Sequence, residues 1–106
     1  MISSRVCGLL GLATRAGKTV FGTEACIQAL EKNKIKLIII AKDAAERTKM
    51  NFKNICNKSN VPILEYLSSE EISKSIGKNN KAVVGIKDTN FSKEIIKIIN
   101  GGEAIG

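Results

Sequence analysis

Apolar positions along this chain follow two spacings, one typical of helices and one typical of buried strands. From Val6 to Ala13, apolar residues recur three or four positions apart, which indicates one hydrophobic face of a helix. The unbroken run Leu37-Ile38-Ile39-Ile40-Ala41 instead has the length and β-branched content of a strand that is covered on both faces. The two spacings alternate to the end of the chain, so the pattern predicts helices alternating with strands.

Capping and turn residues set the expected bounds of these elements. Ser68 with Glu71 matches the capping-box pattern of a helix start, and Gly77 stands where a left-handed residue is expected after that helix. Asp43 is expected to cap the third helix in the same way, together with Glu46. The sequence predicts helices at about residues 3–17, 22–33, 43–60, 68–77 and 88–101 and strands at about residues 19–21, 37–41, 63–66 and 82–86.

This order of elements predicts an α/β fold. Helices between successive strands favour a three-layer α/β/α sandwich around a central mixed, mostly parallel four-stranded sheet. At 106 residues, the chain is long enough to bury roughly two thirds of its unfolded surface in one core. No linker, repeat or low-complexity segment divides it, so residues 1–106 are expected to form a single domain.

Composition narrows the classes of partner. The net charge of +7, from 17 basic and 10 acidic residues, favours an anionic polymer over a neutral metabolite, although a merely basic surface would show the same charge. No apolar run approaches the ~18 residues of a membrane span. We therefore expect a cytoplasmic protein with no membrane partner.

Cofactor and metal chemistry find little support in the residue types. The chain has no histidine, and Cys7, Cys26 and Cys56 are widely spaced, so neither a zinc site nor a disulfide framework is indicated. The cysteines are expected to be small core residues. We predict that the protein has no cofactor and no bound metal.

Two motifs suggest enzymatic or nucleotide chemistry and fail on spacing. Gly17-Lys18-Thr19 matches the end of a phosphate-binding loop, but that pattern requires a glycine where Leu12 stands. Asp43 after a buried strand resembles a phosphoacceptor aspartate, yet no acidic pair follows the first strand to hold Mg²⁺. The sequence predicts a protein that is not an enzyme and has no small-molecule substrate.

A set of segments in fixed order resembles a known family, the L-seven-Ae type ribosomal proteins, which bind kink-turn RNA and include small bacterial ribosome-associated members. The resemblance spans residues 6–99 and depends on order and spacing. The matching segments are Gly22-Thr23, Leu37-Ile38-Ile39-Ile40-Ala41-Lys42-Asp43-Ala44, Cys56 followed by Val61-Pro62, Ser68 with Glu71, and Ile76-Gly77-Lys78.

The resemblance implies an α/β/α protein without catalytic activity that recognises kink-turn or similarly bent structured RNA, as a ribosomal or ribosome-associated protein. The expected partner is structured RNA such as ribosomal RNA, and we expect the protein to be a monomer. RNA would be held by the start of the second helix, the turn after the central strand and the loop before the last strand. On this chain the corresponding residues are Gly22, Thr23, Glu24 and Gln28, then Lys42, Asp43, Ala44 and Ala45, and finally Lys78, Asn79, Asn80 and Lys81.

Elementary chemistry supports the helix start as part of the site. Free N–H groups and the positive end of the helix dipole favour a phosphate there, and Lys18 lies close by in sequence. Glu24 is able to accept hydrogen bonds from a base amine. Arg47 and Lys49 would extend this surface, whereas the lysines between positions 32 and 36 are expected at the far end of the second helix as solvating charge.

The same helix start differs from the family pattern Gly-x-Asn-Glu-x-x-Lys. Glu24, Ala25 and Gln28 occupy the Asn, Glu and Lys positions. Glu24 and Gln28 would also be unremarkable on a solvated helix face. An alternative therefore stays open, a protein-interaction module of the same fold with a weakened RNA site.

Overall fold

The computed structural model describes the backbone of residues 2–105 and the side chains of residues 3–101. Helices and strands alternate along the chain. The helices are α1 (Ile2–Arg15), α2 (Thr23–Glu31), α3 (Glu46–Ser59), α4 (Ser69–Ile76) and α5 (Thr89–Ile105), and the strands are β1 (Thr19–Phe21), β2 (Leu37–Ile40), β3 (Ile63–Glu65) and β4 (Val83–Ile86).

The four strands form one mixed sheet in the order β1-β4-β2-β3. The strand β2 is parallel to β3, with Ile38 opposite Ile63, and antiparallel to β4, with Ile40 opposite Val83. The strand β1 also pairs with β4 in the antiparallel sense. The predicted mixed four-stranded sheet and the central position of β2 are therefore confirmed.

The prediction that the sheet is mostly parallel was wrong, because two of its three strand pairings are antiparallel. The cause lies in the path of α4. This helix has only 8 residues, and the Ala41 N–H donates to the Ala82 carbonyl at 2.8 Å, just before β4 begins. The chain thus enters β4 at the end where β2 finishes, and it runs back between β1 and β2.

Helices cover both faces of the sheet, which confirms the three-layer α/β/α sandwich. On one face, buried residues of α1, α4 and α5 pack against alternate sheet residues such as Ile39 and Val84. On the other face, α2 and α3 pack against Ile38, Ile40 and Val83. Because both faces are covered, every residue of β2 and β4 is buried, as the unbroken apolar runs predict.

Helix ends follow the predicted capping in part. The capping box of Ser68 and Glu71 is present at the start of α4, and Gly77 adopts the left-handed conformation after it, with φ of 71°. The predicted capping box of α3 is wrong, since Ala45 is the residue before that helix and makes no side-chain cap. The last helix was expected to end at Gly101-Gly102 but extends to Ile105.

The cysteines were expected to be small core residues. Cys26 and Cys56 are buried and Cys7 is half-buried, all three as free thiols, so packing is the role of the first two. Burial raises the pKa of the Cys26 thiol to about 12 and that of Cys56 to about 11.

Within residues 2–105, every helix is too short or too polar to cross a membrane.

Candidate nucleic-acid interface

The three predicted RNA-binding segments meet at one end of the sheet, where β1, β2 and β3 finish and β4 begins. We call this the upper end. The strand pairings define it, since Ile40 lies between Val83 and Glu65, and Phe21 lies opposite Val84. Each segment follows or precedes one of these strand ends, so the topology brings together residues that are up to about sixty positions apart in sequence.

The start of α2 is held close to the first residue of β4. The Gly22 N–H donates to the Val83 carbonyl, and the Gly22 carbonyl accepts from Cys26 N–H, both at 3.0 Å. Gly22 has φ of 94° and ψ of 153°, and no described side chain caps the helix. Thr23 and Glu24 are exposed. The first N–H groups of α2 are therefore open to an anion, with the helix dipole in the favourable sense.

The turn after β2 is tied to the start of α4. Asp43 Oδ1 accepts from both the backbone N–H and the hydroxyl of Ser69, each at 2.8 Å. The Ser69 backbone N–H, more than any other group, holds the pKa of the Asp43 carboxyl below its usual value. Asp43 therefore accepts hydrogen bonds from the start of α4 and not from α3, and these bonds hold the Lys42–Ala45 turn against α4.

The loop before β4 is ordered by Ser73. The Ser73 hydroxyl donates to the Lys81 carbonyl at 3.1 Å and accepts from the Lys81 N–H at 2.8 Å. The Lys78 ammonium lies 5.1 Å from the centre of the Phe21 ring, which is the last residue of β1. A Cβ placed on Gly22 would lie 3.7 Å from the Lys81 ammonium. Both lysines therefore stand directly beside the α2 start.

A concave surface connects this loop with the Asp43 turn. The cavity has a volume of about 440 Å³ and opens to solvent on one side. It includes Lys74, which sequence reasoning missed although it lies four residues before Lys78. The lining residues are Asp43, Ser69, Glu70, Ser73, Lys74, Lys78, Asn79 and Asn80. Polar side chains of both charge signs dominate it, which suits hydrogen bonding to a polar polymer more than enclosure of a small apolar ligand.

Two predicted site residues do not join this group. Lys18 precedes β1, and its carbonyl accepts from the Lys87 N–H at 2.8 Å, so it lies at the opposite end of the sheet from Gly22. Gln28 is exposed one turn beyond Glu24 on α2 and lines a different groove, together with Lys87. Lys18 was expected beside the start of α2 because it is close to Gly22 in sequence. The whole length of β1 separates the two residues, so they lie at opposite ends of the sheet.

Lys49 also differs from its expected place. It is buried, and its ammonium donates to the Lys42 carbonyl at 2.6 Å and to Glu65 Oε2 at 2.9 Å, with Glu46 Oε2 at 3.6 Å. The hydrogen bond between the Lys49 ammonium and the Glu65 carboxylate raises the pKa of Lys49 and lowers that of Glu65. Lys49 therefore supports the Lys42 turn from beneath and is not a surface contact, whereas Arg47 is exposed.

The described residues also bear on the question of a metal site. Those residues include no group of three or more cysteine, aspartate or glutamate side chains placed to hold a metal ion. The upper end instead offers ammonium groups, helix N–H groups and a carboxylate, which are the groups that contact phosphates and base edges.

Comparison with protein families finds a match over most of the chain. Residues 4–96 match the model of the ribosomal protein L7Ae/L30e/S12e/Gadd45 family. The matched range includes all five helices at least in part, all four strands and every segment of the upper end.

Individual relatives agree with that match. The chain is 41% identical over 93 residues to a protein named RNA-binding protein YlxQ from Enterococcus faecium, covering 88% of this chain and 89% of that protein. The protein of the same name from Bacillus subtilis is 33% identical, covering 87% and 92%. A solved structure from Bacillus halodurans, described as a protein with unknown function, superimposes with a TM-score of 0.86 at 29% identity, covering 90% and 96%.

Proposed function

The chain belongs to the ribosomal protein L7Ae/L30e/S12e/Gadd45 family, and from this premise we propose that it is a non-catalytic, ribosome-associated protein that binds structured RNA. The names of its relatives support RNA binding, since two of them are RNA-binding proteins by name. The preferred ligand is a kink-turn or similarly bent RNA, and the protein acts as a cytoplasmic monomer.

One observation carries the proposal, namely that the open start of α2 faces two lysines across a few ångströms. The ammonium of Lys81 would lie 3.7 Å from a Cβ on Gly22, and Lys78 lies over the neighbouring Phe21 ring. A phosphate at the α2 start would meet helix N–H groups and these two charges at once. Groups of this kind set the position of an RNA backbone, and they act without regard to sequence.

Recognition of the bent RNA requires groups that face bases as well as phosphates. Glu24 is exposed on the first turn of α2 and accepts hydrogen bonds from exocyclic amines, as acidic side chains do at cytosine. Gln28 is one turn further along the same helix but lines the groove with Lys87, so it is not assigned to this contact. In this proposal, Glu24 discriminates among RNAs, while the lysines at 78 and 81 supply affinity.

Binding to a kink-turn RNA and to a straight duplex of equal length tests the proposal. At 50 and 200 mM salt, the kink-turn RNA should bind at least about tenfold more tightly than the duplex. If about six phosphates are contacted, both affinities should fall by roughly 10³ between these salts. Equal affinity for the two RNAs at both salt concentrations would refute recognition of a bent RNA.

Variants separate the two roles. Glu24→Ala should reduce the preference for the kink-turn RNA, whereas Lys78→Gln with Lys81→Gln should weaken both RNAs alike. Lys93→Gln with Lys97→Gln is the matched control, since both lysines are exposed on α5 and the net charge changes by the same amount. Loss of affinity in the control equal to that in the upper-end variant would mean that net charge alone drives binding.

A second candidate, the protein-interaction module, is favoured by a groove between α1 and α5. This groove of about 500 Å³ is lined by Leu9 and Leu12 and flanked by Arg5 and Arg15, and Leu12 is 49% exposed. Exposed apolar surface of this kind marks many protein contacts. Co-purification of a partner that survives nuclease treatment and is lost in Leu12→Asp would support this function.

A further inference from the structure

We propose that the lower end of the sheet is a second RNA contact, which binds the phosphodiester backbone of a segment separate from the one at the upper end. Because it takes the upper end as the primary site, this inference rests on the proposed function. The lower end is where β1 and β2 begin and β4 finishes. Its lysine cluster consists of Lys18, Lys32, Lys34, Lys36 and Lys87.

Backbone hydrogen bonds bring three of these lysines together from distant parts of the chain. The Lys87 N–H donates to the Lys18 carbonyl at 2.8 Å, and the Lys36 N–H donates to the Ile86 carbonyl at 2.7 Å. Lys18, Lys36 and Lys87 are therefore neighbours on three adjacent strand ends. The sequence places them far apart, so the charge pattern alone did not reveal the cluster.

A shallow groove gives this cluster a shape. The groove has a volume of about 250 Å³, with Val20, Ala25 and Ala29 as its apolar floor. Its polar lining residues are Gln28, Lys32, Lys34 and Lys87. An apolar floor with cationic walls fits a sugar-phosphate segment, because the sugar packs on the floor while the phosphate oxygens accept from the ammonium groups.

Among the side chains that the structure describes, no carboxylate forms an ion pair with the lysines of the lower end. The ion pairs of those side chains are the ones of Lys49 and Lys53 with Glu46 and Glu65. The nearby Asp88 carboxylate accepts from the Phe91 N–H at 2.8 Å, which commits it to the start of α5. The cluster therefore carries concentrated positive charge that an anionic polymer would neutralise.

RNA fits this surface better than an anionic membrane does. Membrane-surface binding requires apolar side chains that insert among the lipids. The large apolar residues with high exposure within the described side chains are Leu12 and Met50, and neither lines the groove. A strand of four residues, roughly 13 Å long, separates the two ends of the sheet, so the phosphates at the lower end would belong to different nucleotides from those at the upper end.

Single-stranded U20 is a suitable probe, because it cannot form a kink-turn. With the upper end saturated by a minimal kink-turn RNA, labelled U20 should still bind, and Lys34→Gln with Lys87→Gln should weaken that binding roughly tenfold. The same variant should lower the slope of log affinity against log salt by about 1.4 for the two lost contacts, while affinity for the minimal kink-turn RNA stays unchanged.

Three results would overturn the inference. The first is complete displacement of U20 by the kink-turn RNA, and the second is an equal loss in the matched Lys93→Gln with Lys97→Gln control. The third is that U20 fails to bind while polyglutamate or vesicles with 30% phosphatidylglycerol bind in a Lys34- and Lys87-dependent way, which assigns the surface to another polyanion. Failure of the proposed function gives a different result. The protein would then bind the kink-turn RNA no more tightly than the straight duplex, whether or not it binds U20.

Discussion

Gly22→Ala is expected to destabilise the protein through backbone strain at the start of α2. The residue has φ of 94° and ψ of 153°, a region that only glycine occupies readily. An added Cβ would have the Lys81 ammonium at 3.7 Å as its nearest neighbour, an ordinary contact, so steric collision adds nothing. The strain alone should cost about 1–3 kcal/mol of unfolding free energy, which corresponds to a fall in Tm of roughly 5–15 °C.

Urea unfolding followed by circular dichroism measures this cost directly. Gly8→Ala is the matched control, since Gly8 lies within α1 and an added Cβ would meet no atom within 4 Å. There the same change should stabilise by roughly 0.5–1 kcal/mol, because alanine loses less backbone freedom in a helix. If the unfolding free energy of Gly22→Ala lies within about 0.5 kcal/mol of that of the parent, the conformation at Gly22 is not strained for alanine and the reasoning fails.

Three further changes test other parts of the fold. Ser68→Ala removes the capping box of α4 and should cost about 1 kcal/mol in urea unfolding, whereas Ser68→Asp should restore most of it. Gly85→Val would place its Cβ 2.8 Å from Ile35 Cδ1 inside the core, so thermal unfolding should show a loss of about 1–3 kcal/mol. Asp43 has a lowered pKa in the folded protein because of Ser69, so its contribution is present above about pH 4 and is lost below it. The stability difference between the parent and Asp43→Asn should therefore be constant from pH 5 to 7 and shrink on further acidification; a difference that grows would contradict this assignment.

Local signals accounted for much of the fold. The start of α4, its end at Gly77 and the burial of β2 all depend on residues within a few positions of one another, and these predictions are confirmed. The direction of β4 depends instead on where α4 packs across the sheet, which neighbouring residues do not determine. After β3 the chain leaves the upper end of the sheet, and the short helix α4 brings it back to the same end, where β4 begins. β4 therefore runs antiparallel to both of its neighbours.

Polar residues with distant partners were the hardest to place. Asp43 was expected to cap α3, but it bonds to Ser69, 26 residues away. Lys49 was expected at the surface, but its partner Glu65 is 16 residues away and draws it inward. The sequence gives the type of an ionisable side chain, but its hydrogen-bond partner is known only once the chain has folded. The partners of Asp43 and Lys49 could therefore not be predicted from sequence spacing.

The position of β4 as the last strand of the chain determines when the proposed RNA site can form during synthesis. β1 is an edge strand whose one neighbour is β4, and the Gly22 N–H finds its acceptor on Val83, at the start of β4. A ribosome that has not yet reached Lys78 has therefore produced two of the three candidate RNA-binding segments without the strand that aligns them. Contacts of such long sequence separation form late in folding. If the upper end is the RNA site that we propose, the nascent chain is unable to bind RNA in the native way until β4 has emerged.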